Sequence, residues 1–248
     1  MVGTGERNLF VFHGFGQDHQ AFQSISESLS EYYTLFVFDL YFHGKSEWGY
    51  DEKPLEKEEW KETINILLSE YNIKSFSLAG FSMGGKFVLA TAEAFPELTE
   101  SIFLLAPDGI KTSFWYSLAT YPILFRKFFK TLINHPEPLA IIIKLLKRAN
   151  LMDKGLLRFV EYQMNTPDKR ERVYYSWVVF RNLTVDLKII ARLVNHHSIP
   201  LTLIVGKYDK VITAKNMNRL LKRIKSYRLE LVDTGHNGLI RESAKYLR

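Results

Sequence analysis

Short apolar runs alternate with predicted helical segments along most of the chain. Six runs are apolar along most of their length, which is typical of strands covered on both faces of a parallel sheet. They lie at residues 8–13, 34–39, 101–106, 201–206 and 227–232, and a sixth opens the segment 75–94. Helices are predicted at residues 21–32, 56–71, 86–94, 214–224 and 239–247. This alternation predicts an α/β fold with a mostly parallel sheet flanked by helices.

The alternation stops at Lys111. Residues 111–197 contain several helical patterns and no clear strand, and they are interrupted by prolines at positions 122, 136, 138 and 167. The strand pattern returns after Pro200. We therefore predict a core made of residues 1–110 and 198–248, with an inserted helical cap at 111–197. A cap over the carboxyl edge of the sheet would exclude water from a site there.

A tight turn within segment 75–94 contains the leading candidate for chemistry. Gly80-Phe81-Ser82-Met83-Gly84 is a G-x-S-x-G pattern between a predicted strand and a predicted helix. A serine at such a turn has a strained backbone and an exposed Oγ, and the glycines let the two elements approach closely. Ser82 is therefore a candidate nucleophile. The alternative is a glycine-rich turn that only packs a helix onto a sheet.

A serine nucleophile needs a base, and the base needs a group that orients it. His236 is the candidate base, because it lies in a glycine-flanked turn directly after the last predicted strand. Two acids also follow predicted strands, Asp209 and Asp108. The residues alone leave both open as the orienting acid.

Composition limits the chemistry further. The 248 residues include no cysteine and no metal-ligand spacing such as H-E-x-x-H, so we expect neither a metal site nor an organic cofactor. The N-terminal residues show no secretory-signal pattern, and no apolar stretch is long enough to span a bilayer. We therefore expect a cytoplasmic protein.

Net charge is unevenly distributed along the chain. The total is +6, and residues 112–197 contain 14 Lys and Arg but only 6 Asp and Glu. A basic excess of this kind suits an anionic substrate, a lipid surface or nucleic acid, or it is simply a solvated helical surface. We expect a small-molecule substrate and no nucleic-acid partner, and a membrane surface stays open.

Several short motifs occur in an order that resembles the α/β-hydrolase superfamily, in its capped, esterase- and lipase-like branch. They are His13-Gly14-Phe15-Gly16, His43-Gly44-Lys45-Ser46, the turn around Ser82, Gly206 with Asp209, and Gly235-His236. The resemblance favours Asp209 over Asp108, because the family places its acid late in the chain, before the histidine. It also implies an oxyanion hole formed by the backbone N–H groups of Phe15 and Met83.

The implied function is that of a serine hydrolase of the carboxylesterase-like class (EC 3.1.1), which cleaves an ester through an acyl-enzyme. We expect an apolar or partly anionic acyl group, because aromatic and basic residues mix in the first part of the predicted cap. The alternative is that these aromatic residues only form the core of the cap. The aromatic residues are Phe114, Trp115, Tyr116, Tyr121, Phe125, Phe128 and Phe129. A Ser-His-Asp lyase, a thioesterase, a C–C bond hydrolase and a non-catalytic ligand-binding protein of this fold stay open as alternatives.

One departure from the family concerns the N-terminus. The Gly-x-Gly-Glu turn that usually follows an upstream hairpin begins here at Gly3, so that hairpin is expected to be absent. Residues 34–39 would then form an apolar sheet edge, and such edges favour pairing between chains. We therefore expect that the protein can form a homodimer through this edge.

Overall fold

The computed structural model describes residues 1–112, 114–148 and 161–248. Its centre is a parallel sheet of six strands in the order β2-β1-β3-β4-β5-β6. The strands are β1 (Arg7–Phe12), β2 (Tyr33–Phe38), β3 (Phe76–Phe81), β4 (Thr99–Leu105), β5 (Leu201–Gly206) and β6 (Arg228–Val232). All six predicted strands are confirmed, and the sheet confirms the predicted α/β fold class.

Side chains that alternate along each strand build an apolar layer on either face of the sheet. In β1, Phe10 and Phe12 enter one layer, whereas Leu9 and Val11 enter the other. The first layer is covered by α2 (Lys57–Glu70), α3 (Gly84–Ala94), α8 (Leu187–His196) and α9 (Ala214–Leu221). The second is covered by α1 (Gln23–Leu29) and α10 (Leu239–Ser243). The two layers explain why the strands are apolar along most of their length.

Three predicted helices are shorter than their apolar pattern suggests, and the one predicted at 214–224 ends as α9 at Leu221. The segment predicted at 21–32 begins with a 3₁₀ turn at His19–Phe22, and its α-helix ends at Leu29. The helix ends there because the Ser30 carbonyl accepts hydrogen bonds from the N–H groups of Thr4 and Gly5. These bonds direct the following residues into β2. The last helix likewise leaves the α form at Ser243 and continues as a 3₁₀ turn, Ala244–Tyr246.

Further helices lie between β4 and β5. They are α4 (Phe114–Thr120), α5 (Ile123–Asn134), α6 (Pro136–Arg148) and α7 (Pro167–Val179), before α8. Residues 113 and 149–160 of the predicted cap lie outside the described residues. Helix α8 packs against α3, and its Ile190, Ala191 and Val194 belong to the first apolar layer of the sheet. The limits of the predicted cap, 111–197, stay a prediction.

The outer edge of β2 is paired in part by the chain itself. The N–H of Val2 donates to the carbonyl of Leu35 (2.9 Å), and the N–H of Leu35 donates back to Val2 (2.7 Å). Tyr33, Leu35 and Phe36 on this strand are buried. The predicted homodimer through this edge stays a prediction, and it would have to form beside the Val2 bridge.

Candidate active site

Ser82 lies between the end of β3 and the start of α3, at a turn with a left-handed backbone. Its φ is +50°, a value that side-chain-bearing residues adopt rarely and that stores strain. Three backbone hydrogen bonds hold this conformation. The Ser82 N–H donates to Leu105 O (2.9 Å), and the Ser82 carbonyl accepts from the N–H groups of Gly85 (2.9 Å) and Asp108 (2.7 Å).

Two glycines make the sharp turn sterically feasible. A Cβ at Gly84 would lie 2.1 Å from the carbonyl oxygen of Phe12 in β1, and a Cβ at Gly80 would lie 2.6 Å from Cγ2 of Val88 in α3. Both distances are far below contact distance, so a side chain at either position would push α3 away from the sheet. The two glycines of the G-x-S-x-G pattern are therefore needed for close packing of strand and helix.

His236 is hydrogen-bonded to both of its predicted partners. Its Nε2 lies 3.1 Å from Ser82 Oγ, and its Nδ1 lies 2.6 Å from Asp209 Oδ2. Because an ionised carboxylate only accepts, the proton of a neutral imidazole belongs on Nδ1, which leaves Nε2 to accept from the serine hydroxyl. The His236 ring also packs on the ring of Phe81, with 4.8 Å between centroids.

Asp209 is fully buried, and both of its carboxylate oxygens accept hydrogen bonds. Oδ1 accepts hydrogen bonds from the N–H groups of Val211 (2.8 Å) and Ile212 (2.9 Å), while Oδ2 faces His236. Burial alone would raise the pKa of Asp209, but the hydrogen bond and charge of His236 and the two backbone donors outweigh it and lower the pKa. The group is held as a carboxylate, the form that can orient an imidazole.

The structure places the rival acid, Asp108, in a different cluster. Its Oδ2 lies 3.6 Å from Lys86 Nζ, and its Oδ1 accepts from the N–H of Gly109 (2.8 Å). Lys86 is buried, and its Nζ donates to Tyr116 Oη (3.2 Å), which in turn donates to the carbonyl of Trp177 (3.1 Å). Burial would lower the pKa of Lys86, but Asp108 and Tyr116 outweigh it and raise the pKa. Asp108 therefore faces a buried cation, and His236 faces Asp209.

The loop after β1 carries Phe15, the other predicted oxyanion donor besides Met83. Met83 directly precedes α3, so its N–H belongs to the helix start, where the N–H groups have no acceptor within the helix. The loop is fixed on both sides of Phe15. The N–H of Gly14 donates to Gln17 Oε1 (2.9 Å), and the N–H of Gly16 donates to His43 Nε2 (3.0 Å).

His43 was identified from the sequence only as part of a family motif, and the structure shows that it holds the Phe15 loop. Its Nδ1 donates to the Tyr41 carbonyl (2.9 Å), so Nε2 is free of a proton and accepts from Gly16. Burial lowers the pKa of His43 to about 3. The sheet order explains why His43 lies beside the Phe15 loop. His43 follows β2 and Phe15 follows β1, and neighbouring parallel strands end at the same edge of the sheet.

The predicted cap contacts the Phe15 loop through apolar side chains. Phe15 packs against a cluster that joins α5 to α7 and is formed by Ile133, Met164, Val173, Tyr174 and Val178. The Gln163 side chain lies against Gly16. Of the aromatic residues expected to line a pocket, Phe114, Tyr121, Phe125 and Phe128 are exposed, whereas Phe129 packs against the same cluster. The side chain of Trp115 lies outside the described part of the structure.

Within the described ranges, no group of three or more His, Cys, Asp and Glu side chains is arranged to hold a metal ion. Among the same residues, no helix is both long and apolar enough to cross a bilayer.

Comparisons with known proteins identify the family and the fold of this chain. A family model described as the alpha/beta hydrolase fold matches residues 7–243. Lipase 1 of Psychrobacter immobilis is 26% identical over 245 residues, which covers 92% of this chain and 70% of the lipase. A pimeloyl acyl-carrier protein methyl ester esterase of Proteus mirabilis is 34% identical over 84 residues, which covers 34% of this chain and 30% of the esterase.

A solved structure shows the same fold at low sequence identity. The thermophilic esterase of Thermogutta terrifontis superposes with a TM-score of 0.69 over 99% of this chain and 88% of that chain, at 18% identity. The family match extends from β1 to α10, and it includes the strand-turn-helix element around Ser82. The chain belongs to the alpha/beta hydrolase fold family.

Proposed function

We propose that this protein is a serine hydrolase that cleaves carboxylic esters through an acyl-enzyme on Ser82. The single observation that carries the proposal is the hydrogen-bonded chain from Ser82 Oγ through His236 to Asp209, with distances of 3.1 and 2.6 Å. A nucleophile, a base and an orienting acid in this arrangement are the parts that acyl transfer requires. The relatives named as a lipase and an esterase support an ester as the substrate.

In the first half-reaction, Ser82 Oγ attacks the ester carbonyl carbon while His236 Nε2 takes the hydroxyl proton. The carbonyl oxygen becomes an oxyanion, which the N–H groups of Met83 and Phe15 would stabilise. Collapse of this intermediate breaks the bond to the alkoxy group. The alcohol leaves with the proton from His236, and the acyl group stays on Ser82.

In the second half-reaction, a water molecule replaces the alcohol. His236 Nε2 takes a proton from the water, whose oxygen attacks the acyl carbon, and the same N–H groups stabilise the second oxyanion. The acid product leaves as Ser82 recovers its proton from His236. Asp209, a buried carboxylate at Nδ1, stabilises the imidazolium in both steps.

The acyl group is proposed to be apolar. Phe15 lies beside the proposed oxyanion hole, and the cluster that packs against it consists of apolar side chains of the helices between β4 and β5. The buried cation nearest the turn, Lys86, already faces the carboxylate of Asp108. These contacts favour an apolar acyl chain over an anionic one.

Initial rates on p-nitrophenyl esters of increasing acyl length test the proposal. Wild type and a variant with the exposed Ser69→Ala in α2 should turn over, and Ser82→Ala should not. An optimum at a medium or long chain would support an apolar acyl pocket. Equal inactivity of all three proteins on esters, with turnover of matched thioesters, would redirect the proposal to a thioesterase. Ligand binding without turnover on either panel would favour the non-catalytic alternative.

A further inference from the structure

Helices α5 and α6 pack against each other and leave large apolar side chains in solvent. Ile123, Leu124 and Phe128 of α5 and Ile141 and Leu145 of α6 are between 52% and 77% exposed. We call these five side chains, together with the exposed Lys127, Lys144 and Arg148 of the same two helices, the α5–α6 face. A group of exposed apolar side chains of this size usually marks an interaction site, whereas single exposed apolar residues are common on any surface.

The exposed apolar side chains of α5 are distinct from those that pack this helix against the protein. Near its C-terminal end the same helix buries Leu132 and Ile133, and Ile133 joins the cluster that packs against Phe15. Leu124, Phe128 and Leu132 are spaced four residues apart on one side of α5, so this apolar side is covered by the protein at Leu132 and exposed to solvent at Leu124 and Phe128. A helix that only covered the core would bury its apolar side along its whole length.

The positive charge of the protein is concentrated at the same place. Residues 111–148 contain seven of the 33 Lys and Arg residues and one of the 27 Asp and Glu residues. The rest of the chain contains 26 of each sign, so this segment accounts for the whole net charge of +6. Two cations of this segment, Arg126 and Lys130, form ion pairs with Glu52, which lies outside the segment.

Four of the five remaining cations of the segment lie on α5 and α6 and are free to face a partner. Lys127, Lys144, Lys147 and Arg148 are exposed, and within the described residues none of them forms an ion pair. They therefore supply positive charge beside the apolar side chains of α5 and α6, rather than on a separate surface.

We propose that the α5–α6 face binds the surface of an anionic lipid bilayer. Exposed aliphatic and aromatic side chains with interspersed Lys and Arg match the boundary between anionic headgroups and acyl chains, where an amphipathic helix lies in the plane of the membrane. The charge match argues against a second copy of this chain. A symmetric contact would bring the two sets of unpaired cations together.

Because α5 also packs toward Phe15, binding would place the helices beside the candidate active site against the membrane. The lipid contact itself requires only the exposed side chains. The inference therefore does not depend on ester hydrolysis, and either proposal can fail without the other.

Vesicle co-sedimentation tests the inference. Wild type should bind vesicles of mixed phosphatidylcholine and phosphatidylglycerol at least tenfold more tightly than vesicles of phosphatidylcholine alone, and added salt should weaken the binding. The double variant Leu124→Glu/Phe128→Glu should reduce binding to the anionic vesicles at least tenfold, and Lys127→Glu should reduce it in part. Ile66→Glu is the matched control, because Ile66 is 60% exposed on α2, outside the α5–α6 face, and this variant should bind like wild type.

Because all substituted side chains are exposed, each variant should fold like wild type. Circular dichroism and thermal unfolding check this. The inference is overturned if folded wild type does not bind the anionic vesicles, or if the double variant binds them as wild type does. It is also overturned if light scattering shows a dimer that Leu124→Glu disrupts while no vesicle binding occurs, because a second copy would then cover the face.

Discussion

The N–H of Gly16 donates a 3.0 Å hydrogen bond to the unprotonated Nε2 of His43. Through this contact, a buried imidazole from the loop after β2 holds the loop that carries Phe15, one of the two proposed oxyanion donors. His43 does not contact Ser82, His236 or Asp209 in the hydrogen-bond network, so its proposed role is positional. It fixes where a backbone N–H points, and it takes no part in proton transfer.

Replacing His43 should therefore impair catalysis without removing the nucleophile. In His43→Ala, Gly16 loses its acceptor and the Phe15 N–H is no longer held, so we expect kcat to fall about 10- to 100-fold, less than the loss of a whole oxyanion donor. KM should change little. The matched control is His196→Ala, an exposed histidine at the end of α8. A His43→Ala enzyme with wild-type kcat would contradict the positioning role.

His43 should also make the fold sensitive to acid. Its pKa is about 3 in the folded state and about 6.5 in an unfolded chain, so the unfolded state binds a proton first as pH falls. Stability from this group is complete above about pH 6.5 and is lost progressively toward pH 3, with an upper bound of about 5 kcal/mol. Burial lowers the pKa of His13 in the same direction.

Urea unfolding at a series of pH values measures this effect. The free energy of unfolding should fall from pH 6.5 downward, and the slope should flatten in His43→Gln. An identical slope in wild type and His43→Gln would show that the buried imidazole is not responsible.

The two candidate acids should separate clearly in a mutant comparison. Asp209→Asn removes the carboxylate at His236 Nδ1 and favours the wrong imidazole tautomer, so kcat should fall by about 10³- to 10⁴-fold. Asp108→Asn leaves the His236 contacts intact and should lower kcat far less. A larger loss in Asp108→Asn than in Asp209→Asn would reassign the acid.

Asp209 should also contribute to acid stability, in a window below that of His43. Because its pKa is lower in the folded state, its contribution is present above the unfolded value of about 3.9 and is lost as pH falls through the lowered folded value. Asp209→Asn should lack this component. Comparing the urea midpoints of wild type and Asp209→Asn below pH 4 checks whether the stability that Asp209 contributes falls with pH.

The ion pair between buried Lys86 and partly exposed Asp108 should stabilise the contact between the sheet and the helices beyond β4. Lys86→Met leaves the carboxylate of Asp108 and the hydroxyl of Tyr116 without their cation, and we expect a loss of about 1–2 kcal/mol, since Asp108 is partly exposed. A double-mutant cycle with Asp108→Asn measures the coupling. Additive single effects would show that the two groups do not stabilise each other.

Much of the fold could be predicted because the strands are buried on both faces. A continuous apolar run such as residues 201–206 has few alternatives to a central strand, and the structure has β5 at Leu201–Gly206. Helix ends were less predictable because they depend on distant partners. The Ser30 carbonyl ends α1 by accepting from Thr4 and Gly5, and nothing in the local pattern of residues 21–32 indicates those donors.

The candidate site shows the same division. Ser82 and His236 were identified from positions directly after strands, and their contact follows from the shared carboxyl edge of a parallel sheet. The role of His43 could not be read from its own loop, because it depends on β2 lying beside β1. The exposure of Phe125 and Phe128 was also not predictable, since an aromatic pattern does not say which face of α5 meets the protein.

Trapping the acyl-enzyme tests whether Ser82 is the nucleophile. Wild-type protein is mixed with a p-nitrophenyl ester, quenched in acid during turnover, digested and analysed by mass spectrometry, with Ser82→Ala and Ser69→Ala treated in parallel. We predict an acyl adduct on the peptide that contains Ser82 in wild type and Ser69→Ala, and neither adduct nor turnover in Ser82→Ala. Turnover that persists in Ser82→Ala, or an adduct on another residue, would contradict this prediction.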